Sequence, residues 1–313
     1  MKKAAAILGF WIAAAIPTLA QAPAPADSIT VTEGKVAREV IEAFISSHAA
    51  PTQALDQMAR WKVPMCPMAV GVPEEFARFV EQRVRAVAAE VGAPVGDASC
   101  QQNVSIIFTP EPQTMVNEIR RRSSAFLGYH HSTARGDEMA KVTHPMQAWH
   151  MTGTRDLRGN LETDNPRNQT NTLVIRYPAV PPLPETAFVE LYMPNARAAS
   201  VTGGRLGNGL SSEFTHALIV ADIQWAAEPE IGTIADAMAL LALSRPVLSD
   251  ACQSMTSILD LLAKDCARSS EIKALSAGDL AFLRGLYKMT VDANLPKQMS
   301  EVAYQMQQAL TGQ

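Results

Sequence analysis

The chain has 313 residues, 47% hydrophobic and 19% charged, with 27 Lys and Arg against 31 Asp and Glu. That length suits one large domain or two small ones around a sizeable core. A formal charge of −4 with no basic stripe excludes the electrostatic footprint of a nucleic-acid binder.

The first residues, MKKAAAILGFWIAAAIPTLAQAPAPADS, combine Lys2 and Lys3 with an apolar run over Ala4 to Ile16 and small residues beyond it. This pattern predicts a signal peptide over residues 1–22, cleaved near 20–22. A flexible Ala/Pro lead-in follows over 23–30, and a single α+β domain is expected over 31–313. Without the two lysines the formal charge becomes 25 − 31 = −6. No cysteine follows the apolar run and no later segment is apolar for long enough to span a bilayer, so no stable membrane anchor is expected after cleavage. The predicted location is periplasmic or secreted.

Cys66, Cys100, Cys252 and Cys266 fall two in each half, as expected of two disulfides in an exported chain. Three pairings exist in principle. The pairing Cys66–Cys100 and Cys252–Cys266 closes two local loops that do not cross. Without a C-x-x-C pair, zinc is the weaker reading.

In chain order, KVAREVIEAFISSH (35–48) carries Val36, Val40, Ala43 and Phe44 at helical spacing. His48 ends that helix where a cation suits the dipole. VPEEFARFVEQRVRAVAAEVG predicts a second helix, with Pro73 and two acids in its first turn and Gly92 stopping it. Phe76, Val80, Val84, Val87 and Val91 form its expected buried stripe. VSIIF (104–108) reads as a strand buried on both faces. Thr109-Pro110-Glu111 then caps a helix whose core side carries Met115, Val116 and Ile119. That helix ends in Arg120-Arg121-Arg122, a cation cluster assigned to the dipole and solvent.

A strand near 145–155 should turn through Arg158-Gly159-Asn160 into a hairpin. Pro- and Gly-rich connections are expected near 178–212, leading into the apolar strand HALIVAD. Helices are predicted over 231–244 and 252–264. A third should begin at LSAGDLAFLRGLYK, where Ser276 and Asp279 stand at capping-box spacing. Strands in the middle and helices at both ends give an α+β fold with a central, mostly buried sheet.

Four of the six histidines lie in GYHHSTARGDEMAKVTHPMQAWH (128–150). Along one strand His144 and His150 would stand roughly 20 Å apart, too far to share a metal. His130 and His131 are adjacent and point different ways. No metal site and no cofactor is therefore expected. There is no G-x-S-x-G nucleophile elbow. Gly204, Gly207 and Gly209 precede a strand and not a helix, so they do not form a phosphate loop. His216, three residues after Glu213, reads as a histidine at a strand entrance.

The segments LGYHHSTARGDEMAKVTHPMQAWH, HALIVADIQWAAEPEIGTIADAMALLALSRP and LSAGDLAFLRGLYKMTVDANL resemble a family of uncharacterised exported bacterial proteins. That resemblance implies export and a shared fold, and no chemistry. Leu241-Ala242-Leu243, followed by Leu275-Ser276…Asp279…Leu286-Tyr287, is also similar to the H-E-x-x-H-x-L-G-L-x-H helix and downstream segment of zincin metallopeptidases. In that register Ala235 and Ala239 stand where two zinc-binding histidines belong, Asp236 at the acid position and Arg245 at the third ligand. Alanine offers a metal no lone pair, so a zincin-like fold here would carry an empty site.

Three functional readings follow. The first is a non-catalytic binding or structural protein, with a protein or small-ligand partner. The second is an extracytoplasmic metal-dependent hydrolase, peptidase-like, using Tyr129, His130, His150 and His216. The third is a small-ligand protein whose pocket is lined by Tyr129, Trp149 and Trp225.

Overall fold

The computed structural model describes residues 36–97, 99–164, 172–181, 183–184, 186–192 and 209–312. The expected signal peptide, the lead-in and Gly204 and Gly207 lie outside the described residues.

Five strands form the central sheet in the order β1 (Pro67–Val70), β2 (Val104–Thr109), β7 (Ser211–Asp222), β3 (Met146–Arg155) and β4 (Leu161–Thr163). The first three run parallel, β3 pairs antiparallel to β7, and β4 pairs antiparallel to β3. Strand β2 is buried along its whole length, and β7 is buried from Ser211 to Ala221. Both need apolar side chains on the two faces, which VSIIF and HALIVAD supply. Strands β5 (Thr172–Pro178) and β6 (Thr186–Tyr192) form a separate antiparallel hairpin. The fold is α+β, with three layers.

On one face of the sheet, Val104, Ile106, Phe108, Ala217, Ile219 and Ala221 meet the main core. That core is built from α1 (Arg38–His48), α2 (Glu74–Val91), α6 (Ile231–Leu243), α7 (Ala277–Lys288) and α8 (Leu295–Thr311). On the other face, Ile107, Trp149, Met151, Leu218 and Val220 pack with α3 (Pro112–Ser123), the 3₁₀ turn Ser124–Leu127 and the inner side of the hairpin. Two short helices complete the described order, α4 (Thr133–Met139) and α5 (Ile223–Ala226).

Several local expectations are met. Gly92 closes α2 in the left-handed conformation, φ 83°, donating its N–H to the carbonyls of Ala88 and Ala89. Ser276 and Asp279 form a reciprocal capping box on α7. The Arg158-Gly159-Asn160 turn joins β3 to β4. Both disulfides pair as expected, Cys66 with Cys100 and Cys252 with Cys266.

Four expectations are corrected. Phe76 is 42% exposed, and Ala77 takes its place on the buried stripe of α2. Residues 252–264 are not a helix but turns around the 3₁₀ segment Ile258–Leu262. The Asp260 carboxylate accepts the backbone N–H groups of Gln253 and Ser257, holding the chain in a turn inside the Cys252–Cys266 loop. His216 is not at a strand entrance. Strand β7 begins five residues earlier, at Ser211, so His216 is fully buried mid-strand in the centre of the sheet. The arginine run also serves more than dipole and solvent. Arg120 pairs with Asp137, Arg121 with Glu118, and Arg122 donates to the Val174 carbonyl, tying α3 to α4 and to the hairpin.

Candidate functional site

Helix α6 is buried from Thr233 to Leu243 and apolar from Ala237 onward, so its C-terminal carbonyls are buried as well. An α-helix leaves its last four carbonyls without intrahelical partners. Here each one is met. Ser244 donates its N–H and hydroxyl to Leu240 O, and His150 Nε2 lies 2.7 Å from Leu241 O. Trp61 Nε1 donates to Ala242 O at 2.7 Å, and the Tyr287 hydroxyl to Leu243 O at 3.0 Å. His150 is thereby the Nε2–H tautomer, assigned from its acceptor. Burial lowers its pKa to about 3, and the ring is neutral. It has a structural use that metal ligation through Nε2 would forfeit.

The other histidines are dispersed. Across the bulge at Thr215, Met151 pairs with His216 and His150 with Ala217, so His150 faces α6 while His216 faces the opposite layer. There the His216 ring meets Phe126 edge-on, with centroids 5.6 Å apart, and burial lowers its pKa to about 4. His130 is half-buried in the loop before α4, its Nδ1 3.0 Å from Gly128 O, and neighbouring Tyr129 is half-buried as well. His144 lies outside β3, with Nε2 3.5 Å from Asp250. Of the aromatic set, Trp149 is buried under α3 with its indole N–H on Met139 O, whereas Trp225 packs against the main core on the other side of the sheet. These residues do not line one cavity.

A serine, a histidine and an aspartate do converge at a place the sequence did not suggest. His48 Nε2 lies 2.9 Å from Ser257 Oγ and 3.2 Å from Asp279 Oδ1, all three fully buried. Both partners share one ring nitrogen, while Nδ1 faces Phe44 O at 2.8 Å. A catalytic triad needs the acid on one nitrogen and the nucleophile on the other, so this network is structural. It joins the end of α1 to the start of α7. Asp279 also accepts the N–H groups of Ile258 and Ser276. Burial opposes its charge, but the bonds from His48, Ser257 and Ser276 outweigh burial and hold its pKa below the usual carboxylate range.

At the zincin register, Asp236 is buried and bound. Arg83 Nε donates to it at 2.5 Å and Leu275 N at 3.0 Å. Ala235 and Ala239 are core residues, and Arg245 donates to the carbonyls of Ala50 and Pro51. Among the described residues one group of three metal-capable side chains comes together, Cys252, Asp260 and Cys266. Its two sulfurs are bonded to each other, which removes both thiolates.

A polar concavity apart from these structural networks is a cleft of about 530 Å³ at the end of the sheet where β7 begins. Arg60 and Lys62 reach it from the segment before β1, Arg155 from the end of β3, and Tyr287 from α7. Arg60 is held there because its carbonyl accepts the Phe214 N–H and extends the sheet by one bridge. Arg155 grips Glu213 with two bonds of 2.6 Å, and Glu213 is fully buried. No single motif could have announced this cleft, since its cations come from two separate parts of the chain, the segment before β1 and the end of β3. Compared with family models, curated proteins and solved structures, the chain finds no match.

Proposed function

We propose that the protein is a non-catalytic binding protein of the periplasm or cell exterior. The observation that supports this reading most directly is the use of His150 as a cap on Leu241 O, in a chain whose remaining histidines are dispersed or locked in a buried network. A general base needs a proton acceptor within reach of substrate, and His150 presents its Nε2 to a helix end instead. Two disulfides are compatible with an oxidising compartment, and no described helix is long and apolar enough to cross a membrane.

The test is metal content by mass spectrometry on purified protein dialysed without chelator, beside a panel of peptidase and esterase substrates. A metal-free, folded protein with no turnover is expected. About one zinc per chain together with hydrolysis would replace this reading with the metal-dependent hydrolase.

A further inference from the structure

We propose that the cleft between Arg60, Lys62 and Arg155 is an anion site for a compact organic oxyanion, carboxylate or phosphate. The inference rests on the binding-protein reading and adds the class of ligand.

Of the three cations, Arg155 is committed to Glu213. Arg60 and Lys62 form no ion pair among the described residues. The acids whose charge reaches Lys62 are Glu213, already bound by Arg155, and Asp292. Arg60 directs Nη1 to the carbonyls of Leu286 and Tyr287, in the last turn of α7, where a cation offsets the partial negative charge of the helix end. Its Nε and Nη2 meet no described acceptor. Lys62 Nζ donates one bond to Ser211 Oγ at 3.2 Å and has two protons left.

Two neighbouring cations, one half-buried and one exposed, with donors left over, are the chemistry that recognises a carboxylate or phosphate group. Burial lowers the pKa of both, the cost of holding them without a counter-charge. The cavity volume falls within the range of small-molecule sites. Val63, Pro94 and the Tyr287 ring supply apolar walls for the body of the ligand.

The experiment is calorimetric titration of the purified, disulfide-bonded protein with citrate and with inorganic phosphate. Ionic strength is held fixed with sodium chloride, and the titrations are repeated on Lys62→Gln and Lys62→Glu. Saturable binding of at least one probe is expected, about tenfold weaker in Lys62→Gln and lost in Lys62→Glu. Lys62 is exposed, so the unfolding midpoint of both variants should match the parent and separate lost binding from lost fold. Binding of citrate alone assigns a carboxylate ligand, and binding of phosphate alone a phosphate. Failure of both probes, or binding that survives Lys62→Glu, overturns the anion site. The broader reading fails on a different result: turnover in the substrate panel removes it whether or not the probes bind.

Discussion

The two faces of the central sheet differ in how fully their buried polar groups are partnered. On the helical face, His48, Ser257 and Asp279 bond one another, Asp236 is held by Arg83 and Leu275, and the last carbonyls of α6 each have a donor. On the face covered by α3 and the hairpin, the hydroxyls of Ser105 and Ser123 are buried without a hydrogen-bond partner. Each such orphan costs on the order of 1–3 kcal/mol relative to its solvated state. The helical face therefore specifies the fold through bonds between segments far apart in sequence, such as His48 and Asp279. The other face holds mainly by apolar packing, helped by bonds such as Thr109 Oγ1 to Pro178 O and Arg122 to Val174 O, and carries its unpartnered hydroxyls as a load.

The largest effect that would break this contrast is expected at Asp279. Asp279→Ala strips a partner from His48, Ser257, Ile258 N and Ser276 N together. It should lower stability by about 3–5 kcal/mol in urea titration. A loss under about 1 kcal/mol would mean that the network is decorative and the contrast false.

Next come the disulfides, which staple the helical side. Cys66–Cys100 closes 34 residues and Cys252–Cys266 closes 14. The chain-entropy relation gives a loss of about 3–4 kcal/mol for replacing either pair with serine. The Cys252–Cys266 pair should also release the Asp260 turn, detectable as faster amide exchange at Gln253 and Ser257 and unchanged exchange in the β5–β6 hairpin.

How much of this was legible in the sequence depends on range. Patterns complete within a few residues were readable: the Ser276–Asp279 capping box, the Gly92 stop, the doubly buried VSIIF strand. The 252–264 segment misled because apolar spacing over a short window fits a helix as well as a turn, and Asp260 decides the matter by accepting two backbone N–H groups. His216 misled because Ser211-Ser212-Glu213 has the composition of a loop. Glu213 pairs with Gly153 in the β3–β7 ladder, and its buried carboxylate is met by Arg155, 58 residues away in sequence. The cleft was invisible for the same reason. Arg60, Lys62, Arg155 and Tyr287 have no common sequence pattern; the pairing of β3 and β7, the Arg60–Glu213 bridge and the packing of α7 bring them together.

A pH titration sharpens the comparison further, since histidines stand on both faces. Burial holds His150 near 3 and His216 near 4, against an ordinary value of 6.5. Below pH 6.5 the unfolded chain therefore binds protons that the folded chain refuses. Stability is complete above 6.5 and falls as the pH drops toward 4, by on the order of 1 kcal/mol per pH unit for each ring. His144, also lowered by burial, adds in the same direction. Asp279 acts in a separate window. Its depressed pKa contributes stability that is lost only as pH falls below the ordinary carboxylate value. His216→Phe should remove one ring's share of the slope between pH 6.5 and 4, measured by urea midpoints at fixed ionic strength. A slope unchanged by that substitution would show that His216 is protonated in the fold.

The smallest effect is the most discriminating, because it has the opposite sign on the two faces. Ser105 is fully buried in β2, opposite Leu218 of β7, and its hydroxyl bonds to nothing. Ser105→Ala removes an unsatisfied oxygen and leaves a methyl among Ile107, Leu218 and Val220, so stability should stay level or rise by up to about 1 kcal/mol. Ser257→Ala, on the helical face, removes a hydroxyl that donates to Asp279 and accepts from Leu259 N, and should cost about 1–3 kcal/mol. The two substitutions delete the same atom from equally buried serines. Only the company each hydroxyl keeps separates them, so equal losses in urea titration would refute the division between the faces.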